Sequence, residues 1–382
     1  MKILFFSSYF YPYTSGLTTY PWKILNHLAK KNEITVLTFN HQKNKFKKLK
    51  IKNLNLKIFY LPYFFRFYKG FISPQSLIYF LKEIKNNQLI ILNLPGVESL
   101  PLMILSKIFK KKTISLLHCF LSGGKNFFEK IILFIANQIV YLQLLLSDKV
   151  ITYTKRYIEN FLIYKIIKDK TDFQLPPILK VKENKKYLSF LKKLKTNKTV
   201  IGYAGRISSE KGLEYLINSL TRYTPSNASY KILFAGPYGR NVAGEKNYFL
   251  KIKKLLDEKK IDYRFLGNLD LKKLFAFYKA IDVLVLPSVN STEAFGMVQA
   301  EAMISGTPVV ATNLPGVNVP IRLTKMGKIV EPKNESQLSQ AIFEIIKNRE
   351  KYTNAKLIKN AQKIFDIKKV YQFWDKIIYE NN

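Results

Sequence analysis

The sequence predicts a two-domain α/β fold, each half a parallel sheet flanked by helices. Three observations carry that expectation. A chain of 382 residues is long enough for two cores of ordinary size. Short apolar runs alternate with helical stretches through both halves, which is the βα rhythm of a parallel sheet. The rhythm breaks once, around LPPILKVKENKKYLSFLKKLKTNK, where two prolines stiffen the path and lysines crowd in, placing a hinge near 178–198.

In the first half, KILFFSS, ITVLTF, LIILNL, TISLLH and KVITYT read as strands, with helical runs at 17–30, 98–110 and 127–147. The window 131–147 is the most apolar; it is shorter than the roughly 20 residues a membrane span needs and contains Asn137, Gln138 and Gln143, so a buried or interfacial helix is expected. In the second half TVIGYAG, YKILFAG, YRFLG, DVLVLPS, PVVAT and GKIVEP are strands with helices between. No sequence repeat links the halves. The last helix, near FDIKKVYQFWDKIIYE, carries Val370, Phe373, Trp374, Ile377 and Ile378 on one apolar stripe.

Apolar content of 47% fits a globular α/β protein and excludes a disordered or fibrous chain. The single cysteine, Cys119, cannot close an internal disulfide, so a reducing cytoplasm is the simplest compartment. MKILFFSSYF lacks a small-residue cleavage site, and export is not expected. The net charge of +37 has three accounts: nucleic-acid binding, attraction to anionic membrane, or a compositional bias toward Lys, Ile and Asn. No helix-turn-helix, RNA-recognition or zinc-finger pattern supports the first.

The most informative stretch is STEAFGMVQAEAMISGTPVV, in which Glu293 and Glu301 flank a Phe-Gly turn that opens a helix stopped by Gly306. IDVLVLPS before it is a buried strand, so the acidic pair straddles a strand-to-helix crossover. Ligands of open α/β sheets bind beyond the carboxyl ends of strands, where a helix N-terminus offers free N–H groups to phosphate. Two carboxylates there would repel phosphate and instead suit sugar and ribose hydroxyls. In GRISSEKGLEYLINSL, Arg206 follows a strand and Lys211 opens a helix, so both cations can converge on one anion. Two cations in so basic a chain prove little by themselves. The acidic motif beside them gives them meaning.

With these motifs the chain resembles the retaining glycosyltransferases of family four: E-x-F-G followed by E-A-M-x-x-G-x-P-V, with GRISSEKG at 205–212. The resemblance continues through FLGNLDLKKLFAFYKAIDVLVLPS and VVATNLPG, and reaches the first half more weakly, through its opening strand, its glycine turn and His118. It implies a GT-B fold of two Rossmann-like doubly wound domains with an interdomain cleft: 1–180 on the acceptor side, 181–365 binding the nucleotide sugar, and 366–382 as a helix crossing back to the first domain. It implies a hexose moved from a nucleoside-diphosphate sugar, UDP or GDP, to a glycan or lipid-linked acceptor. Arg206 and Lys211 match the donor-diphosphate positions, Glu301 the ribose-binding glutamate and Glu293 the residue near the sugar. The backbone N–H groups of Phe295, Gly296, Met297 and Val298 would face hexose and phosphate. Base recognition would fall near Asn268 and Leu269. His118 matches a histidine beside the donor sugar, though a strand-end histidine is also commonly just a satisfied polar residue. Gly16 stands in the opening loop, where Ser15 replaces the first of the family's paired glycines.

No Asp-x-Asp pair or zinc cluster stands in the sequence, so neither metal nor cofactor is expected. The acceptor side is vaguer. FYLPYFFRFYKGFISPQSLIYFLKEIK interleaves aromatics with Arg66, Lys69 and Lys82, and GGKNFFEKIILF adds a second basic-apolar edge; both suit either a lipid interface or buried core. The rivals to a glycosyltransferase are a non-catalytic basic scaffold binding membrane or nucleic acid, and another GT-B enzyme such as a sugar-nucleotide epimerase. A cytoplasmic enzyme at the inner membrane face is the expectation.

Overall fold

The computed structural model describes residues 1–13, 15–41, 48–67, 70–124, 126–195, 198–222, 229–239, 242 and 245–380. Lys69 and Lys125 of the two basic-apolar segments lie outside them. The chain divides into two compact units, Met1–Pro177 with Ile367–Asn382, and Ile178–Asp366.

The first unit runs β1 (Lys2–Phe6), α1 (Gly16–Leu28), β2 (Glu33–Phe39), β3 (Lys48–Lys50), β4 (Leu56–Leu61), β5 (Phe65–Phe67), β6 (Gly70–Ile72), α2 (Ser76–Asn86), β7 (Leu89–Leu94), α3 (Leu100–Ile108), β8 (Lys112–Leu117), α4 (Phe127–Leu146), β9 (Lys149–Thr152), α5 (Lys155–Ile158), α6 (Tyr164–Ile167) and β10 (Thr171–Phe173). Among the described residues its main sheet has the order β10-β9-β8-β7-β1-β2-β4-β3 and is parallel except where β3 meets β4. The central strands β1, β7 and β8 are almost wholly buried, as expected of parallel strands covered on both faces.

The second unit runs α7 (Lys185–Lys193), β11 (Thr199–Ala204), α8 (Leu213–Arg222), β12 (Tyr230–Ala235), α9 (Lys246–Glu258), β13 (Asp262–Gly267), α10 (Leu271–Ala280), β14 (Val283–Leu286), α11 (Met297–Ile304), β15 (Val309–Thr312), α12 (Val319–Thr324), β16 (Gly327–Val330), α13 (Glu335–Lys347), α14 (Arg349–Thr353) and α15 (Ala355–Ile364). Its six strands are all parallel in the order β13-β12-β11-β14-β15-β16. Numbered within the unit this is 3-2-1-4-5-6, the doubly wound order, and the winding reverses between β11 and β14.

The final helix, α16 (Ile367–Glu380), packs in the first unit against α1. Val370, Trp374, Ile377 and Ile378 are buried, and the Trp374 indole donates to the Tyr20 hydroxyl at 3.1 Å.

The apolar segment 59–85 divides between its two readings: Tyr60 and Leu61 of β4, with Phe71, Phe80 and Ile84, are core, whereas Phe64, Ile72 and Ile78 are exposed. The expected hinge near 178–198 starts where the two units divide, after Pro177, and holds α7, capped by Asn184, whose side chain accepts from Tyr187 N at 2.9 Å. One expectation needs correction: the apolar window is not short of a span, because α4 begins at Phe127 and reaches 20 residues, with only 22% of its apolar stretch buried.

Candidate functional site

The two loops that leave the switch-point strands of the second unit, 205–212 after β11 and 287–296 after β14, lie against each other. Val289 N donates to Glu210 O at 3.0 Å, and a Cβ on Gly212 would meet Pro287 O at 2.6 Å. Gly212 also turns left-handed (φ 60°) to end the short 3₁₀ turn Ser209–Lys211 before α8. Close approach and positive φ together require glycine there.

This juxtaposition brings the charged residues together. The Lys211 ammonium pairs with the Glu293 carboxylate, both largely withdrawn from solvent. Arg206, on the exposed rim, donates to Glu210 Oε1 at 3.1 Å, and the same oxygen accepts from the Ser208 hydroxyl at 2.6 Å. Burial alone would raise the Glu210 pKa; the charges of Lys211 and Arg206, with the Ser208 hydrogen bond, hold it below the ordinary carboxylate value. Glu210 was invisible as a site residue in the sequence, being one acid in a polar loop. Tyr203 closes the floor of the loop by donating to Arg206 O at 2.6 Å. Burial raises its phenol well above the ordinary value, with Glu210 and Glu293 adding to the shift.

The second loop ends at Gly296, left-handed at φ 71° as the N-cap of α11. A Cβ there would meet Leu286 Cδ2 at 2.5 Å, so the strand end and the helix start can touch only through glycine. The leading N–H groups of a helix have no intrahelical acceptor, which leaves those beginning at Met297 and Val298 open to an anion. Gln299 fixes this corner, donating from Nε2 to Phe295 O at 3.0 Å and Val317 O at 2.9 Å. Phe295 is buried edge-on against Phe365.

Glu301 is not an ordinary surface residue: α11 is buried nearly all round, and Glu301 is only 8% exposed. Its Oε2 accepts from the Tyr278 hydroxyl at 2.8 Å. Tyr278 sits on α10, 23 positions earlier, and no sequence pattern announces it. Leu269 lies in the turn between β13 and α10, two strands from the switch point.

Gly16 and His118 belong to the first unit. Gly16 opens α1, and Ser15 is the helix N-cap in extended backbone (φ −156°), its N–H donating to Thr18 Oγ1 at 2.8 Å; no glycine is needed at that place. His118 follows β8, 3% exposed. Its Nε2 donates to Asn93 Oδ1 at 2.6 Å and its Nδ1 accepts from the Tyr153 hydroxyl. Asn93 is itself oriented by donating to Ser7 Oγ at 2.9 Å and Leu17 O at 3.1 Å. Burial lowers the His118 pKa to about 3, so the ring is neutral. With both nitrogens engaged inside the protein, a sugar hydroxyl could reach His118 only by displacing Tyr153 or Asn93. Among the described residues no cluster of three His, Cys, Asp or Glu could hold a metal ion.

Residues 185–364, nearly all of the second unit, match the family model described as glycosyl transferases group 1. The match takes in just under half of the chain and places the second unit with the glycosyl transferases group 1. An uncharacterized glycosyltransferase of Methanocaldococcus jannaschii is 31% identical over 184 residues, covering 47% of this chain and 43% of that protein, so the match spans under half of the relative's length. Sucrose-phosphate synthase from Thermosynechococcus elongatus superposes with a TM-score of 0.78 at 16% identity, over 99% of this chain and 98% of that one. Anabaena HepE in complex with UDP-glucose superposes with a TM-score of 0.76 at 20% identity, over the whole of both chains. At such identities these structures establish the fold, which is GT-B.

Proposed function

We propose that this protein transfers a hexose from a nucleoside-diphosphate sugar to a glycan or lipid-linked acceptor, with retention at the anomeric carbon. The observation that carries the proposal is the pairing of the two switch-point loops, which sets Lys211 against Glu293, with Arg206 on the first loop and Glu301 on α11, the helix that the second loop opens. In this function Arg206, Lys211 and the N–H groups at the start of α11 hold the diphosphate. Glu301, steadied by Tyr278, accepts from the ribose hydroxyls, and Glu293 leaves Lys211 to accept from the hexose. Charge that builds on the departing diphosphate meets cations and helix N–H groups already in place, which stabilises the transition state electrostatically without a metal. The C1–oxygen bond to the phosphate breaks while the acceptor oxygen bonds C1 from the same face, and the acceptor proton passes to the leaving phosphate. The products are a glycoside and a nucleoside diphosphate, serving cell-surface polysaccharide or glycolipid synthesis at the cytoplasmic membrane face. HepE's UDP-glucose puts UDP first among the nucleotides to try.

Thermal unfolding with UDP, GDP, ADP and their sugars tests the site. A ligand at a hundred times its dissociation constant adds about 2.7 kcal/mol, a visible rise in melting temperature. Glu301→Gln, which keeps an acceptor for Tyr278, and Lys211→Ala are expected to keep the fold and lose most of that rise. A nucleotide that stabilises both variants as strongly as wild type places the donor elsewhere.

A further inference from the structure

We infer that the outer face of the helical layer α2–α3–α4–α6 in the first unit is a docking surface for an anionic lipid bilayer, with α4 lying in the plane of the interface. The helices are consecutive neighbours, α2 against α3, α3 against α4, and α4 against α6. Of the 25 large apolar side chains exposed among the described residues, 21 belong to the first unit and 4 to the second, although the units are nearly equal in size. A coding bias toward Ile and Lys acts on both units alike and does not produce that asymmetry. Soluble surfaces seldom gather such residues into one contiguous patch unless a partner covers it.

The pattern is sharpest on α4. Phe127, Ile131, Phe134, Ile135, Leu142 and Leu145 are exposed and fall within about a third of the helix circumference. Phe128 extends the edge of that stripe at 76% exposure. Leu162, in the turn before α6, and Ile166 of α6 border the same groove as Tyr141, Leu142 and Leu145. The opposite side of α4 is fastened to the unit. Gln143 is hydrogen-bonded to Ser99 and donates to Gly96 O at 3.1 Å, and Asn137 exchanges hydrogen bonds with Leu121 at 2.8 and 3.0 Å. A helix held along its inner face cannot leave to cross a membrane, and its apolar outer face can only lie on one.

Charge selects the occupant. Lys82, Lys85, Lys110, Lys130, Lys165 and Lys168 are exposed on or beside these four helices. Residues 155–170 hold five basic residues against two acidic ones. Apolar side chains ringed by ammonium groups match acyl chains beneath anionic headgroups, and each lysine near such a surface adds attraction that salt screens. The inference is independent of the donor site.

The test is flotation of the full chain with vesicles of phosphatidylcholine alone or mixed with phosphatidylglycerol. Wild type should float with the anionic vesicles and far less with the neutral ones. The triple variant Phe128→Ser, Phe134→Ser, Leu142→Ser removes only exposed side chains; it should keep the wild-type melting temperature and bind at least about tenfold more weakly. Lys130→Glu with Lys165→Glu and Lys168→Glu should abolish the preference for anionic lipid. Undiminished flotation of the apolar variant overturns the assignment, as does equal wild-type binding to both vesicles. So does a wild type that ignores vesicles but elutes as a dimer which the apolar variant converts to monomer, since the face would then belong to a second copy.

Discussion

At the scale of single residues, the second unit sets opposite charges or hydroxyls beside its site charges: Lys211 with Glu293, Glu210 with Arg206 and Ser208, Glu301 with Tyr278. In the first, His118 is held neutral between Asn93 and Tyr153. Its depressed pKa has a consequence for stability. Unfolded, a histidine binds a proton below about pH 6.5; folded, His118 does so only near pH 3. Between those values the unfolded state holds the extra proton, so His118 favours the fold fully above pH 6.5 and loses that contribution as pH falls toward 3. His41, lowered by burial to about 4, acts in the same direction over a narrower window. Urea unfolding at pH values from about 6 down to 4.5 should therefore show His118→Gln with a slope shallower by about 1.4 kcal/mol per pH unit than wild type. Identical slopes would mean that the His118 ring is reached by solvent and protonates in the folded protein.

At the scale of elements, the decisive feature is how loops are pinned against strands. Gly212 is both left-handed and in contact range of the β14 loop, so Gly212→Ala must distort one loop or the other. The expected cost is about 1–3 kcal/mol, seen as a lower melting temperature, with weaker stabilisation by nucleotide because Lys211 moves with the turn. An alanine variant with wild-type melting and nucleotide response would show that the two loops do not depend on that approach. Much of this site was legible in the sequence, because Arg206, Lys211, Glu293 and Glu301 stand in short runs bounded by strand and helix signals. Their partners were not. Glu210 is an ordinary loop acid by sequence, while Tyr278 and Tyr153 join their partners only through the fold. The strands of the second unit were legible for a related reason: fully buried parallel strands are unbroken apolar runs closed by Gly or Pro. In the first unit, β4 and α2 went unread because apolar residues mark both faces of α2, where Leu77, Ile78 and Leu81 are exposed beside buried Phe80 and Ile84. Periodicity reports which face is apolar, and it falls silent when both are.

At the scale of the molecule, the two units differ in how the chain builds them. The second is one continuous segment, Ile178–Asp366, whose six-stranded sheet and surrounding helices come from neighbouring stretches of sequence. The first is discontinuous and is completed only by Ile367–Asn382. That last helix is structural rather than ornamental: Trp374 is 1% exposed, its indole satisfied by Tyr20, which is itself wholly buried, and Asp375 lies 2.9 Å from His27 Nε2. Removing it would strip the apolar cover from α1 and leave the Tyr20 hydroxyl without its donor. Losing one buried aromatic of this size typically costs about 3–5 kcal/mol, and Val370, Ile377 and Ile378 would go with it. Against the roughly 5–15 kcal/mol that holds a domain together, this is enough to unfold the first unit. A chain ending at Asp366 should therefore lose the first unit's thermal transition while keeping the second's, and the segment 178–366 alone should unfold cooperatively at nearly the same temperature as it does within the full chain. If the truncated chain instead keeps both transitions, the first unit's core must be sufficient without α16. If both transitions vanish, the two units must depend on each other for stability despite their separate sheets.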